Sequence, residues 1–216
     1  WMYFLKENYM VDIYMFPAYE GDCILIRYGE PNGIKHNILV DGGVDVNARD
    51  IAEIIEFVYS NEERIDIVIT HIDGDHIQGL ISGLNMVSSE KLQACLSTIY
   101  FNNHRDIVKS LKLSGMSDKG AEDSIKTVVY SSNGYSVSEA KSLLEILRDK
   151  GVGDKIDGFV TMGRNIEIAG AILNIISPSE KELKKLAIEW ESELKKEDKI
   201  ITGYATENPR SEERRV

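Results

Sequence analysis

A chain of 216 residues with a hydrophobic fraction of 43% is long enough for one sizeable core, or for part of a larger one. Its formal charge of −11 excludes a broad basic surface that would hold nucleic acid by its phosphates alone, although bound divalent ions can reverse the sign inside a cleft. No apolar run approaches the roughly eighteen residues of a membrane span, and Lys6, Glu7 and Asn8 fall too early for a signal-peptide core, so a cytoplasmic protein with no membrane partner is expected.

In chain order, the stretch from Val11 to Phe16 and the run Cys23-Ile24-Leu25-Ile26 are short, apolar and rich in β-formers. Gly21-Asp22 separates them, which predicts a hairpin. Cys23 and Cys95 both sit in apolar stretches and read as buried free thiols, too few for a disulfide framework. The run Asn37-Ile38-Leu39-Val40 ends in the turn signal Asp41-Gly42-Gly43. Ile51, Ile54, Ile55 and Val58 then recur at helical spacing, and Ile65 to Thr70 reads as a further strand. Together these predict an α/β fold in which the first three strands share one mixed sheet with Ile65 to Thr70.

Further on, Leu96 to Phe101 reads as a strand, and the polar, Ser/Gly-rich stretch from His104 to Tyr135 as loops with short helical pieces. Ser136 and Glu139 form a capping box ahead of Ala140, Leu143, Leu144 and Leu147, with Gly151 as the stop. Ile166 to Ile176 holds one or two strands broken at Gly170. A second capping box, Ser179 with Glu182, opens a helix whose core stripe is Leu183, Leu186, Ala187, Trp190 and Leu194. One domain over residues 1–200 is expected, followed by a disordered tail, 201–216, with almost nothing apolar to bury. There is no internal repeat.

The chemistry concentrates in Thr70-His71-Ile72-Asp73-Gly74-Asp75-His76. Side chains alternate at a strand end, so His71 and Asp73 can point the same way. Asp75 and His76 then fall in a turn that Gly74 permits, and Ile77, Leu80 and Leu84 begin a helical spacing. One short segment thus presents four N and O ligands, which suit zinc, manganese or iron, and two such ions suit hydrolysis. A plain polar turn would favour Asp and Gly but has no need of flanking histidines. A calcium loop is excluded because imidazole is a poor calcium ligand and no distal Glu stands at the required spacing.

The pattern Thr70-His71-x-Asp73-x-Asp75-His76-x-x-Gly79 resembles the metal motif of the metallo-β-lactamase fold superfamily, with Asp73 where the second histidine usually stands. In this His-x-Asp-x-Asp-His form it is similar to the nuclease-like domains of DNA-uptake channel proteins and to metallo-hydrolases of bacterial defence operons. Gly21 to Ile26 and Ile38 to Gly43 extend the resemblance, which is clear from about Val11 to Leu84, weaker to Pro178 and absent beyond Lys199. It implies an αββα sandwich, here an incomplete domain lacking its C-terminal part. It also implies Zn2+ or Mn2+ as cofactor, two ions in the complete domain. His71 and Asp73 would bind one ion, and Asp75 and His76 the other. A water or hydroxide bridging the ions is the family's nucleophile, and Asp75 would be catalytic by orienting it or taking its proton. Asp41 falls where the family has a carboxylate that steadies a ligand histidine; an ordinary Asp-Gly turn is the equal alternative.

The family completes its site with a further His, a bridging Asp and a final His. After His76 only His104 remains. It is a candidate third ligand, but a solvated loop histidine is the favoured reading; His36 reads as an exposed polar residue. No later Gly-Asp or His-Gly pair follows a strand, so the domain is expected to be either incomplete or degenerate. Fold alone does not choose among phosphodiester, thioester, lactam and lactone hydrolysis. Aspartate at position 73 makes the site harder and more anionic, which suits phosphate-bearing substrates. The leading expectation is a metal-dependent phosphodiesterase or nuclease with nucleic acid as substrate. The alternatives are a non-catalytic regulatory or defence-complex subunit that keeps the fold, and a thioester or lactam hydrolase.

Overall fold

The computed structural model describes residues 2–4, 8–113 and 137–207, with side chains up to residue 195. Its centre is a six-stranded mixed sheet. Strands β2 (Met10–Met15) and β3 (Ile24–Gly29) form the expected hairpin, with Met15 opposite Ile24 and Met10 opposite Gly29. Strand β4 (His36–Val40) runs antiparallel to β3. From β4 the sheet turns parallel: β5 (Arg64–Val68), β6 (Leu96–Tyr100) and the two-residue β7 (Ile156–Asp157) follow in order.

Alternation along the strands decides what each face meets. Ile65 and Ile67 of β5 join the core under the helices, whereas Asp66 and Val68 face the other way. The helical face is covered by α1 (Ala48–Ser60), α2 (Gly74–Met86), α3 (Ser89–Cys95) and α5 (Val137–Asp149). The side chains α1 buries are Ile51, Ile54, Ile55 and Val58, the set its spacing predicted. Each such side chain contributes on the order of 2 kcal/mol when fully buried. A one-residue slip of β5 would turn Ile65 and Ile67 to the wrong face.

The opposite face packs on a three-stranded antiparallel sheet in the order β1 (Met2–Phe4), β9 (Ala171–Asn174), β8 (Asn165–Ile168). Ala169 and Gly170 both have positive φ, 47° and 84°, the signature of a two-residue hairpin turn that matches strand twist, so the break at Gly170 separates two paired strands. Tyr28, Ile38, Tyr100, Ile166, Ile168 and Ala171 fill the space between the sheets. The Tyr28 hydroxyl donates across it to the Ile168 carbonyl at 2.6 Å.

The long helix α6 (Glu180–Glu207) opens with the predicted capping box, in which Ser179 N donates to Glu182 Oε2 at 2.6 Å and Glu182 N donates to Ser179 Oγ at 3.4 Å. Leu183 and Ala187 of α6 pack on Ile107 and Val108 of α4 (His104–Ser110). Three expectations change. The segment 201–207, expected as the start of a disordered tail, continues α6, because extending an existing helix adds a hydrogen bond for each residue fixed. Strand β5 ends at Val68 rather than Thr70. Strands β1 and β7 were not anticipated. Ser136, the loops expected over 114–135 and the tail 208–216 lie outside the described residues. Among the described residues no helix is long and apolar enough to cross a membrane.

Candidate metal centre

The cluster forms where β4 and β5 end side by side. Asp41 follows β4 directly and adopts φ 55°, a left-handed conformation that Asp tolerates better than most residues. Its amide donates to the Val68 carbonyl at 2.9 Å. Residues 69–73 leave β5, and Asp73 stands at the N-cap of α2 without a side-chain capping bond. Asp75 and His76 therefore lie in the first turn of α2 rather than in a loop turn. Asp75 sits where the helix dipole favours a negative charge.

Backbone contacts hold this turn in place. Gly42 N donates to the His76 carbonyl at 2.7 Å and Gly79 N to the Gly43 carbonyl at 3.1 Å. The approach is so close that a Cβ on Gly79 would lie 1.9 Å from the Gly42 oxygen, and one on Gly21 would lie 1.7 Å from the Asp75 oxygen.

Within that frame Asp41 is fully buried and accepts three hydrogen bonds. Oδ1 receives Thr70 N at 2.8 Å. Oδ2 receives the Thr70 hydroxyl at 2.6 Å and lies 2.9 Å from His76 Nδ1. Burial pushes the Asp41 carboxyl up, and the bonds from Thr70 and His76 pull it part of the way back. Thr70 Oγ1 also lies 2.9 Å from His71 Nδ1. The two imidazole rings are close, their centroids 3.8 Å apart. His71 Nε2 is 3.8 Å from Asp73 Oδ2, and His76 Nε2 is 3.6 Å from Asp75 Oδ2.

Asp41, His71 and His76 have ligand atoms all within 4.8 Å of one another, a group that can hold a metal ion. No family model, curated protein or solved structure matches the chain. The chemistry of the site therefore rests on its geometry. With both oxygens of Asp41 already accepting three donors, that carboxylate is better placed to orient the histidines than to face an ion, and it is not a mere turn residue. Asp73 and Asp75 stand outside the compact group, each beside one imidazole: Asp73 with His71, Asp75 with His76.

Two histidine readings are corrected. His104 is not a solvated loop residue: it is buried at the start of α4, its Nε2 3.1 Å from Glu191 Oε2 and its ring 6.2 Å from that of Trp190. Nor does it belong to the Asp41, His71 and His76 group. His36 is half-buried against the Tyr28 ring at 5.9 Å, and desolvation lowers its pKa. Thr70 is the residue the motif reading passed over, because hydroxyls are not expected ligands for these ions. Its only sequence signal is its place directly ahead of His71.

A cleft of about 980 Å³ opens beside His71 and Asp73. Ile38, Val40, Val68, Ile72, Leu173 and Ile175 give it apolar walls. Its charged lining residues are Asp73, Glu182, Glu189 and Glu193, with no Lys or Arg among the described lining residues.

Proposed function

We propose that the protein is a metal-dependent hydrolase of the metallo-β-lactamase-like αββα type, with His71 and Asp73 holding one divalent ion and Asp75 and His76 a second. One observation carries this reading. Both imidazoles have Nδ1 engaged through Asp41 and Thr70, and both Nε2 atoms lie beside a carboxylate, at 3.8 and 3.6 Å. A helical layer, a six-stranded sheet and a second sheet packed on it, with the motif at the strand ends, support the fold assignment.

Zn2+ or Mn2+, when bound, would supply Lewis acidity and a water of lowered pKa. The chain's own part is to orient the ligands and to receive a proton. Asp75, 33% exposed and next to His76, is placed to take a proton from a water at the rim. Hard carboxylate ligands favour phosphodiester substrates. The cleft favours a second substrate reading: apolar walls with only acidic charge suit a compact thioester or lactam better than a nucleic-acid strand. A non-catalytic subunit would keep the fold and bind partners without turnover.

Calorimetry with Zn2+ and Mn2+, together with turnover of a phosphodiester, a thioester and a lactam, and cleavage of single- and double-stranded DNA, tests these readings. The expected result is metal-dependent hydrolysis of one class, abolished in Asp75→Ala. Absence of ion binding, or hydrolysis that survives in Asp75→Ala, refutes the proposal.

A further inference from the structure

We propose that Thr70 is a positioning residue: its hydroxyl relays the demand of the buried Asp41 carboxylate to His71, so that one carboxylate fixes the tautomer of both histidines. The metal-binding consequence rests on the function proposed above; the relay itself rests on geometry alone.

An ionised carboxylate only accepts hydrogen bonds, so the Thr70 hydroxyl, 2.6 Å from Asp41 Oδ2, gives it its single proton. That separation is typical of a hydroxyl bonded to a charged oxygen. Thr70 Oγ1 is left with lone pairs toward His71 Nδ1 at 2.9 Å, so the ring nitrogen must be the donor. His71 is thereby held as the Nδ1–H tautomer with its lone pair on Nε2. His76 is set the same way by direct donation of Nδ1–H to Asp41 at 2.9 Å. Both Nε2 lone pairs then lie on the side of Asp73 and Asp75.

Thr70 matters most to His71. That side chain is 47% exposed, so burial does little to hold its ring. Without the relay, water competes for both ring nitrogens and the ring loses its defined tautomer. The two histidines therefore depend on Thr70 unequally.

Long-range 1H–15N correlation on 15N-histidine-labelled, metal-free protein, at a pH where both rings are neutral, reads the tautomers directly. Both rings should show the Nδ1–H pattern in the wild type. Thr70→Val should abolish it at His71 alone, and Thr70→Ser should restore it. Zinc affinity measured by calorimetry should fall 10- to 100-fold in Thr70→Val, the usual loss when an outer partner of a ligand histidine is removed, and recover in Thr70→Ser. An Nδ1–H pattern in the wild type without zinc or manganese binding supports the relay and refutes the metal reading. An Nε2–H pattern at His71 in the wild type, or a pattern unchanged in Thr70→Val, overturns the relay even if the ions bind.

Discussion

Adding one methyl group at Gly79 should reverse the usual effect of a helical glycine-to-alanine change. In an ordinary helix interior the substitution stabilises by roughly 0.5–1 kcal/mol. Here the new Cβ would lie 1.9 Å from the Gly42 oxygen and 2.8 Å from the Val44 oxygen, and both are backbone atoms that no rotamer change can move. Relief requires α2 to withdraw from the loop after β4. Withdrawal breaks the bonds from Gly42 N to the His76 carbonyl and from Gly79 N to the Gly43 carbonyl, together worth about 2 kcal/mol. Residual overpacking adds about 2 kcal/mol, so Gly79→Ala should destabilise by about 3 kcal/mol net. Urea unfolding monitored by circular dichroism should show a lower midpoint at unchanged slope. Gly153→Ala, whose methyl would meet nothing closer than 3.6 Å, is the control and should shift stability by less than about 0.5 kcal/mol. A Gly79→Ala protein as stable as the wild type would refute the reasoning, because the loop and helix could then not be in the contact described.

Asp41→Asn keeps the shape and tolerates the left-handed backbone, but offers an amide where two donors now converge; zinc affinity by calorimetry should drop 10- to 100-fold with the fold retained, and wild-type affinity would count against the orienting role. Burial raises the Asp66 carboxyl from 3.8 to about 6, against opposing hydrogen bonds from Thr98. The folded chain therefore binds that proton more tightly than the unfolded one, and stability should decline as pH rises from about 4 through about 6, by on the order of 3 kcal/mol. Asp66→Asn should remove this decline, and parallel urea midpoints against pH for the two proteins would contradict the burial argument. His104→Ala removes the imidazole beside the buried Glu191 carboxylate and should destabilise by about 3 kcal/mol while leaving zinc affinity unchanged; a change in affinity with no change in stability would return His104 to the site.

Elements stabilised by local periodicity were legible in the sequence. The α1 stripe, the β2–β3 hairpin, the turn at Gly170 and the Ser179–Glu182 box are written in residues a few positions apart, and each formed. Contacts between distant segments were not legible. Met2–Phe4 became a strand because Ala171–Leu173 offered an edge to pair with. His104 became a core residue because Trp190 and Glu191 arrive on α6. At the site, His71 and His76, two of the three residues whose ligand atoms converge, could be named from their chemistry. That Asp41 reaches both histidines, once directly and once through Thr70, depends on two parallel strands ending together, which no local spacing records.

The close backbone seam between the loop after β4 and the first turn of α2 has a consequence for how such a site can diversify. The seam is fastened by main-chain amides and carbonyls of Gly42, Gly43, His76 and Gly79, not by the side chains at positions 71, 73 and 75. Replacing the imidazole at position 71 by a carboxylate, or either carboxylate at positions 73 and 75 by an imidazole, all of them exposed or half-exposed, would alter the charge and hardness of the rim while removing none of those main-chain bonds. The frame of the site is thus fastened independently of the side chains at its rim, so a change of ligand chemistry there and a loss of the frame are separable events.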